Sequence, residues 1–155
     1  MRTMKRMIFS LLFVVGFSSA IMAQKYDVNW EKKYGKAVET ARKQNKPILI
    51  FFTGSDWCGP CKMLVEDFFE SKRFGKLARE NFVVYKADFP KNRYLVTLSQ
   101  HKKNNYLSRM YGVNSYPTIV VIDKEGKELG RKIGYNLMRD TRYHFIFLKD
   151  ILKNI

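Results

Sequence analysis

Apolar residues along the chain fall into two alternating patterns, helical spacing and short continuous runs, from about position 30 onward. One set recurs on a single helical face and predicts a first helix that ends near Gln44, namely Trp30, Tyr34, Ala37, Val38 and Ala41. The sequence Asn45-Lys46-Pro47 stops this helix. The run Ile48 to Thr53 (ILIFFT) is typical of a short strand that is buried on both faces of a sheet.

The remaining elements are predicted from the same two patterns. Helices are predicted over Cys61 to Phe69, Phe74 to Glu80, Leu95 to Tyr111 (one long polar helix or a helix pair) and Asp140 to Leu152. Strands are predicted over Phe82 to Ala87, Thr118 to Asp123 and Glu128 to Ile133. From Ile48 onward the order is β-α-β-α-β-β-α, which predicts a single α/β domain with a central mixed sheet flanked by helices.

The N-terminal segment has the order of regions that defines a secretory signal peptide. Arg2, Lys5 and Arg6 precede the apolar run 7–17, and small residues and Ala23 follow it. An uncleaved membrane helix is the alternative, but this 11-residue run falls short of the ~20 residues that span a bilayer. We therefore predict a signal peptide over residues 1–23 and a domain over residues 24–155. The protein is expected to be periplasmic or secreted, where disulfides persist.

Charge narrows the classes of partner. The chain of 155 residues has 29 Lys and Arg against 14 Asp and Glu, a formal charge of +15 that is spread along its length. Such an excess is compatible with nucleic acid, acidic proteins or anionic lipid. No nucleic-acid motif accompanies the charge, and export removes the usual ligand, so no nucleic-acid partner is expected.

The candidate chemistry lies in the only two cysteines, Cys58 and Cys61, which are separated by Gly59 and Pro60. They follow a predicted buried strand and begin a predicted helix, and such a pair can form a reversible disulfide. Cys58 at the helix N-terminus, where unpaired amides favour a thiolate, is expected to be the exposed nucleophile. Cys61, one turn inside, is expected to attack the mixed disulfide and release the substrate. Pro60 is tolerated there because the amide it removes would lack a helical partner.

Two other roles for the cysteine pair stay open at this point. A zinc site would use the pair with His101 and His144, although these histidines lack paired ligand spacing. A purely structural disulfide is the second alternative, but a bridge that closes so small a loop stabilises little. We expect no metal site and no bound cofactor, only the redox-active disulfide.

The string Trp57-Cys-Gly-Pro-Cys-Lys62 matches the active-site motif of thioredoxins residue for residue. The agreement continues at four further places, so that it covers roughly Pro47 to Leu152: Tyr111-Gly-Val113, Tyr116-Pro-Thr118, Gly126 and Gly134. The chain therefore resembles the thioredoxin-like family, and its leader and the extended segment 53–56 are most similar to secreted bacterial members. The resemblance implies a thioredoxin-like fold.

The resemblance also implies a substrate site. It implies that Pro117 is cis and faces the cysteines, with Gly59 and Pro60 supporting the active site between them. It implies a shallow groove for the substrate polypeptide, lined by Trp57, Tyr116, Pro117 and Gly134. Lys86, near the end of the second strand, matches the family's lysine near the site, where a cation favours a thiolate. The alternative for Lys86 is a strand-end lysine that reaches solvent.

Two departures from the family pattern bear on function. Where typical thioredoxins have a buried aspartate that helps move the proton of the second cysteine, this chain has Phe51 and Phe52. Water, Asp56 or Glu66 would have to serve as the base for Cys61. The segment 89–109 is longer than in thioredoxins, and it is either a partner-binding insertion or a solvated helix face.

Together these features predict an extracytoplasmic thiol–disulfide oxidoreductase that acts on protein thiols and disulfides. The Gly-Pro pair between the cysteines resembles the reducing members of the family, which favours a reductase supplied by a membrane electron donor. A disulfide oxidase or isomerase in the same compartment is one alternative. A non-catalytic binding module that keeps the fold is the other.

Overall fold

The computed structural model describes residues 26–155, so the predicted signal peptide over residues 1–23 lies outside the described residues. Five α-helices are described: α1 (Tyr34–Gln44), α2 (Gly59–Leu64), α3 (Lys72–Asn81), α4 (Leu98–Met110) and α5 (Arg142–Lys153). A π-helical segment (Val65–Phe69) continues α2, and a short 3-10 helix (Arg93–Leu95) precedes α4. The strands are β1 (Ile48–Thr53), β2 (Val83–Asp88), β3 (Thr118–Ile122) and β4 (Glu128–Ile133).

The four described strands form one mixed sheet in the order β2-β1-β3-β4. β1 pairs with β2 in parallel, from Ile48 opposite Val83 to Thr53 opposite Asp88. β1 pairs antiparallel with β3, and β3 pairs antiparallel with β4. Both neighbours of β1 are therefore strands, and all six residues of β1 are buried, as the apolar run predicts. The predicted fold class is confirmed.

Alternate residues of β1 point into two separate cores, one on each face of the sheet. Leu49 and Phe51 pack in the core that also contains both cysteines and the apolar side of α5. Ile50 and Phe52 pack in the second core, which α1 and α4 cover. The cysteine pair therefore lies on the α5 face of the sheet, and α4 lies on the other face.

Helix ends follow local capping chemistry. α1 ends at Gln44, and the C-cap residue Asn45 has a positive φ of 52°, with the cap N–H groups donating to the Ala41 and Arg42 carbonyls of the last turn. α4 begins with a capping box, in which the Thr97 side chain accepts from the Gln100 N–H and the Gln100 side chain accepts from the Thr97 N–H. Gly112, with φ +60°, follows α4 and permits the left-handed turn that ends it.

Two predicted helices differ from the structure in more than a shift of their ends. Trp30 lies before α1 and packs against Phe69 instead of starting the helix, with ring centroids 5.1 Å apart. The helix predicted over Cys61 to Phe69 begins at Gly59 and changes to π-helical geometry at Val65.

Within residues 26–155, none of the helices has the length and apolar character needed to span a bilayer.

Candidate active site

Cys58 and Cys61 form a disulfide directly after β1, at the start of α2. Their Cα atoms are 5.2 Å apart. Cys58 is the N-cap of α2, and its sulfur accepts a hydrogen bond from the Cys61 N–H at 3.3 Å. Pro60 lies in the first turn of α2, the position where a missing amide costs least. The predicted placement of both cysteines at a strand-to-helix junction is confirmed.

A tight backbone turn presents Cys58. The Gly54 carbonyl accepts hydrogen bonds from the Trp57 N–H at 3.2 Å and from the Cys58 N–H at 2.8 Å. The neighbouring Ser55 N–H donates to the carboxylate of the buried Asp88 at 2.9 Å, which ties the turn to the end of β2. Sequence reasoning assigned no role to Asp88, although its position at a strand end opposite Thr53 is compatible with one.

The expected exposure of Cys58 is wrong for the disulfide form. Cys58 is 4% exposed and Cys61 is 1% exposed, so both sulfurs are buried within the apolar core. Tyr116 packs against that core from the groove side, and its ring lies 5.9 Å from the half-exposed ring of Trp57. Attack on the disulfide from outside therefore depends on the small accessible part of Cys58.

Trp57 forms one wall of the predicted groove. It is 42% exposed, and its indole N–H donates to the Phe89 carbonyl at 2.8 Å. Gly54 lies directly beneath the indole, because a Cβ at that position would come within 2.3 Å of the Trp57 ring. Glycine at position 54 is therefore required for the observed packing of Trp57.

The opposite wall joins the start of β3 to the end of β4. The Tyr116–Pro117 peptide bond is cis, as the resemblance implies. The Gly134 N–H donates to the Pro117 carbonyl at 2.8 Å, and Gly134 has φ +77°, which favours glycine. Tyr116 contacts Trp57, and Pro117 contacts Gly134, so the four predicted groove residues are joined in a continuous series that begins beside Cys58. Their contact with a substrate stays a prediction.

The two carboxylates considered as bases for Cys61 have other partners. The Asp56 carboxylate accepts hydrogen bonds from the Lys91 N–H at 3.0 Å and the Asn92 N–H at 2.8 Å. These bonds, the one from Asn92 above all, lower the pKa of Asp56 and make it a weaker base. Glu66 is exposed and lies 3.2 Å from the Arg139 guanidinium.

Lys86 lies on β2, an edge strand of the sheet, with its side chain exposed. Its register partner is Phe51, which belongs to the core that contains the cysteines. Lys86 lines a cavity of ≈ 370 Å³ together with Trp30, Phe69 and Glu70. This placement matches the alternative of a strand lysine that reaches solvent, and an effect on the cysteines stays a prediction.

An unpredicted network holds the loop that follows β4. The Tyr135 hydroxyl donates to the Asp67 carboxylate at 2.7 Å, and the Arg139 Nε donates to the same oxygen at 2.8 Å. The Arg139 guanidinium, followed by the Tyr135 hydroxyl, holds the pKa of Asp67 below its usual range. The network joins the π-helical segment behind the cysteines to the loop that begins at Gly134. Sequence spacing carries no signal for it, because its members are 68 and 72 residues apart.

The two histidines cannot complete a zinc site with the cysteines. His144 on α5 is 3% exposed and packs between the rings of Phe68 and Tyr135. His101 belongs to α4, which covers the other face of the sheet, and its Nδ1 lies 3.0 Å from Asn105. Among residues 26–155, no three His, Cys, Asp or Glu side chains are grouped so that they could hold a metal ion.

His144 is also a buried polar group without a hydrogen-bond partner. Neither ring nitrogen has one among the described residues. Burial, followed by repulsion from Lys132, lowers the pKa of His144 to about 4, although the nearby Gly134 carbonyl and Asp140 act in the opposite sense. The imidazole is therefore neutral at neutral pH.

Comparisons with known proteins agree with this geometry. A family model described as a thioredoxin-like domain matches residues 34–141. Over 105 residues the chain is 36% identical to the disulfide bond reductase DsbH of Chlamydia pneumoniae, a match that covers 68% of this chain and 62% of that protein. A solved structure named DsbH oxidoreductase is similar with a TM-score of 0.72 and 30% identity, covering 89% of this chain and 93% of that chain.

A second relative is more distant. Over 130 residues the chain is 27% identical to the thioredoxin-related protein DsbJ of Chlamydia pneumoniae, a match that covers 80% of this chain and 37% of that protein. The chain therefore spans less than two thirds of the length of either of these curated relatives.

Proposed function

Because the chain belongs to the thioredoxin-like family and its described domain is a thiol–disulfide oxidoreductase, we propose that the protein reduces disulfide bonds of other polypeptides outside the cytoplasm. The observation that carries the proposal is the Cys58–Cys61 disulfide at the start of α2, directly after Trp57, whose ring lies 5.9 Å from that of Tyr116. A structural bridge would need neither the helix terminus nor the half-exposed Trp57 beside it.

Reduction proceeds through two exchange steps. In the dithiol form, the Cys58 thiolate attacks one sulfur of the substrate disulfide, and the other substrate sulfur leaves and takes up a proton. The deprotonated sulfur of Cys61 then attacks Cys58 Sγ, and the second substrate sulfur leaves as a thiol. The substrate gains two electrons and two protons. The protein is left with the Cys58–Cys61 disulfide, which is the state that the structure describes.

The helix terminus supports the first step. The Cys61 N–H donates to Cys58 Sγ at 3.3 Å, and in the dithiol form the same donor and the helix dipole would stabilise a thiolate at Cys58. The second step needs a base, and both nearby carboxylates considered for this role have other partners. We propose that water takes the Cys61 proton.

Two observations support the reducing direction. Gly59 and Pro60 between the cysteines are those of the family's reducing members, which the motif resembles. The relative that is 36% identical over 105 residues is named a disulfide bond reductase. Because a reductase must be returned to its dithiol form, the proposal includes a thiol donor, which for an exported protein would be held in the membrane.

The reduction potential of the purified protein tests the direction. The Cys58–Cys61 couple would be equilibrated with dithiothreitol and glutathione buffers, and free thiols would be counted by alkylation. A reduction potential of about −270 mV supports a reductase, whereas one of about −120 mV would make the protein a disulfide donor. Turnover of a disulfide-bonded test protein, with dithiothreitol as donor, distinguishes an active oxidoreductase of either kind from a binding module. A binding module would show no turnover.

The extracytoplasmic location needs its own test. Residues 1–23 fused to a reporter enzyme that folds only after export should give reporter activity, whereas the Arg2→Glu/Lys5→Glu/Arg6→Glu variant should give much less. N-terminal sequencing of the exported protein would then show whether cleavage follows Ala23. An inactive reporter would show that residues 1–23 do not direct export. That result would contradict the proposed location but not the proposed redox reaction.

A further inference from the structure

The segment after β2 has a one-sided charge. Between Asp88 and Asp123 the sequence contains no acidic residue. Its first part contains five basic residues, which are Lys91, Arg93, Lys102, Lys103 and Arg109. The same part exposes several large apolar side chains, with Tyr94 98% exposed, Leu98 71%, Leu95 54% and Tyr106 50%.

These exposed residues come from the outer side of α4 and from the segment that directly precedes it. Leu98, Lys102 and Tyr106 are spaced four residues apart, so they form one ridge along the helix. They line a shallow depression of ≈ 530 Å³ with Lys103, whose ammonium lies 5.0 Å from the centre of the Tyr106 ring. We call the following set the basic–aromatic face: Arg93, Tyr94, Leu95, Leu98, Lys102, Lys103 and Tyr106.

The inner side of the same helix is firmly fixed, so the exposure of the outer side does not result from loose packing. The Asn104 side chain accepts a hydrogen bond from the Tyr85 hydroxyl at 2.6 Å and donates to the Asp88 carbonyl at 2.9 Å. Leu107 is fully buried, and the Gln100 amide donates to the Lys32 carbonyl at 2.9 Å. The fold therefore holds apolar side chains in solvent on a rigid helix.

We propose that the basic–aromatic face docks on the surface of an anionic lipid bilayer. Basic side chains interleaved with tyrosine and leucine are typical of surfaces that lie at the headgroup boundary, where the cations meet anionic lipid and the apolar groups insert. The side chains project outward around a shallow depression and no acidic residue interrupts them. This pattern suits a uniform anionic surface, whereas an acidic protein would need a separate pocket for each projecting group.

Docking would bring the active site close to the membrane. The segment that leads to the face begins at Phe89, whose carbonyl accepts from the Trp57 indole at 2.8 Å. The Lys91 ammonium lies 5.7 Å from the centre of the Trp57 ring. The segment that leads to the docking surface therefore contacts Trp57 directly, and the proposal stands whichever way electrons flow through the cysteines.

Hydrogen exchange of the full-length chain with lipid vesicles tests the proposal. Vesicles of phosphatidylglycerol and phosphatidylcholine in equal parts should protect backbone amides of residues 93–106, and pure phosphatidylcholine vesicles should not. The Lys102→Glu/Lys103→Glu variant should lower the vesicle partition coefficient by roughly tenfold or more. The Tyr94→Ser/Leu98→Ser variant should weaken binding as well, and it should fold because both side chains are exposed.

A matched control separates this surface from net charge. Lys149 and Lys153 are exposed on α5, which covers the opposite face of the sheet. The Lys149→Glu/Lys153→Glu variant makes the same change in charge. It should leave the partition coefficient within about twofold, because salt screens charges on the α5 side from a bilayer that is docked on the α4 side. All variants keep the same N-terminal segment, so the local protection of residues 93–106 reports on this face alone.

Three results would overturn the proposal. Anionic vesicles that leave residues 93–106 unprotected would exclude membrane docking by this face. An equal loss of binding in both charge-reversal variants would show that only net charge matters. Protection by soluble polyglutamate but not by vesicles would assign the face to an acidic polypeptide. Reduction of a small soluble disulfide should be the same in all variants, so failure of docking and failure of the proposed reductase function are distinguishable.

Discussion

The two sides of the groove are held in different ways. The turn that presents Cys58 is formed by its own backbone, since the Trp57 and Cys58 amides donate to the Gly54 carbonyl. The loop after β4 is held by side chains, since Tyr135 and Arg139 bind an Asp67 that lies 68 and 72 residues away. The reactive side therefore has a local backbone turn that Asp88 ties to the end of β2, whereas the other side is held mainly by side chains that are distant in sequence.

The largest effect is expected from removing the nucleophile on the motif side. Cys58→Ser should lower reduction of a disulfide-bonded test protein by more than about 10³-fold, because Cys61 is too buried to replace Cys58 as the attacking sulfur. Turnover with dithiothreitol as donor measures the loss. Cys61→Ser is the matched variant and should accumulate a mixed disulfide between Cys58 and the substrate. Equal turnover by Cys58→Ser and the unmodified protein would show that Cys58 is not the nucleophile.

The next effect tests how the long-range side depends on pH. His144 has a folded pKa of about 4, below the 6.5 of the unfolded chain. The unfolded state therefore binds the proton first, and stability falls as the pH drops below about 6.5, by about 3 kcal/mol at pH 4. His144→Leu should remove this part of the pH dependence. Urea unfolding of both proteins between pH 7 and pH 4 measures the difference.

His144→Gln serves as the control for that variant, because it keeps a buried polar group that does not titrate in this range. Both substitutions should flatten the pH dependence by the same amount, although their stabilities at pH 7 differ. An unchanged slope in both variants would contradict the buried, neutral state of His144.

Removing one bond of the Asp67 network should have a smaller effect. Tyr135→Phe deletes the hydroxyl that donates to Asp67 and should lower the free energy of unfolding by about 1 kcal/mol. It should also lower kcat/KM for a protein disulfide severalfold, since the loop beside Gly134 loses an anchor, while reduction of a small disulfide stays the same. Tyr143→Phe is the control, because Tyr143 is exposed on the neighbouring helix. An equal loss for both substrates would place the effect at the cysteines instead.

The smallest effect on stability is expected on the motif side again. Gly54→Ala places a Cβ within 2.3 Å of the Trp57 ring, so the indole must move. Because Trp57 is 42% exposed, it can turn outward at little cost, and stability should change by less than about 1 kcal/mol. Tryptophan fluorescence should shift toward that of a solvated indole as its bond to Phe89 is lost. Gly35→Ala, where a Cβ meets no atom, should leave the spectrum unchanged.

Much of the fold could be predicted from local patterns. The apolar run at Ile48–Thr53 and the strand at Glu128–Ile133 match the structure residue for residue. Errors occur where tertiary packing replaces local preference. Trp30 leaves the predicted helix because its ring packs against Phe51 and Phe69. Cys58 is buried because the disulfide lies against an apolar core instead of facing solvent.

The candidate site was predictable to the same degree. The cysteine pair follows from a contiguous motif, and the cis bond before Pro117 agrees with the resemblance, whereas substrate contact by the groove residues stays a prediction. The roles of Asp56 and Asp88 could not be predicted, since each carboxylate binds backbone amides more than thirty residues away in sequence. The local sequence around a carboxylate does not indicate which distant backbone amide will donate a hydrogen bond to it.

By itself, the sequence determined the elements, the position of the reactive pair and the charge that sets the outer side of α4 apart. These depend on spacing over a few residues, and such spacing acts before the chain is compact. Only the tertiary structure decided which sheet face each histidine occupies, how deeply the disulfide is buried and where Asp67 finds its partners. Those properties depend on contacts between residues far apart in sequence, which exist only after the four strands have formed the sheet and the helices have packed on it.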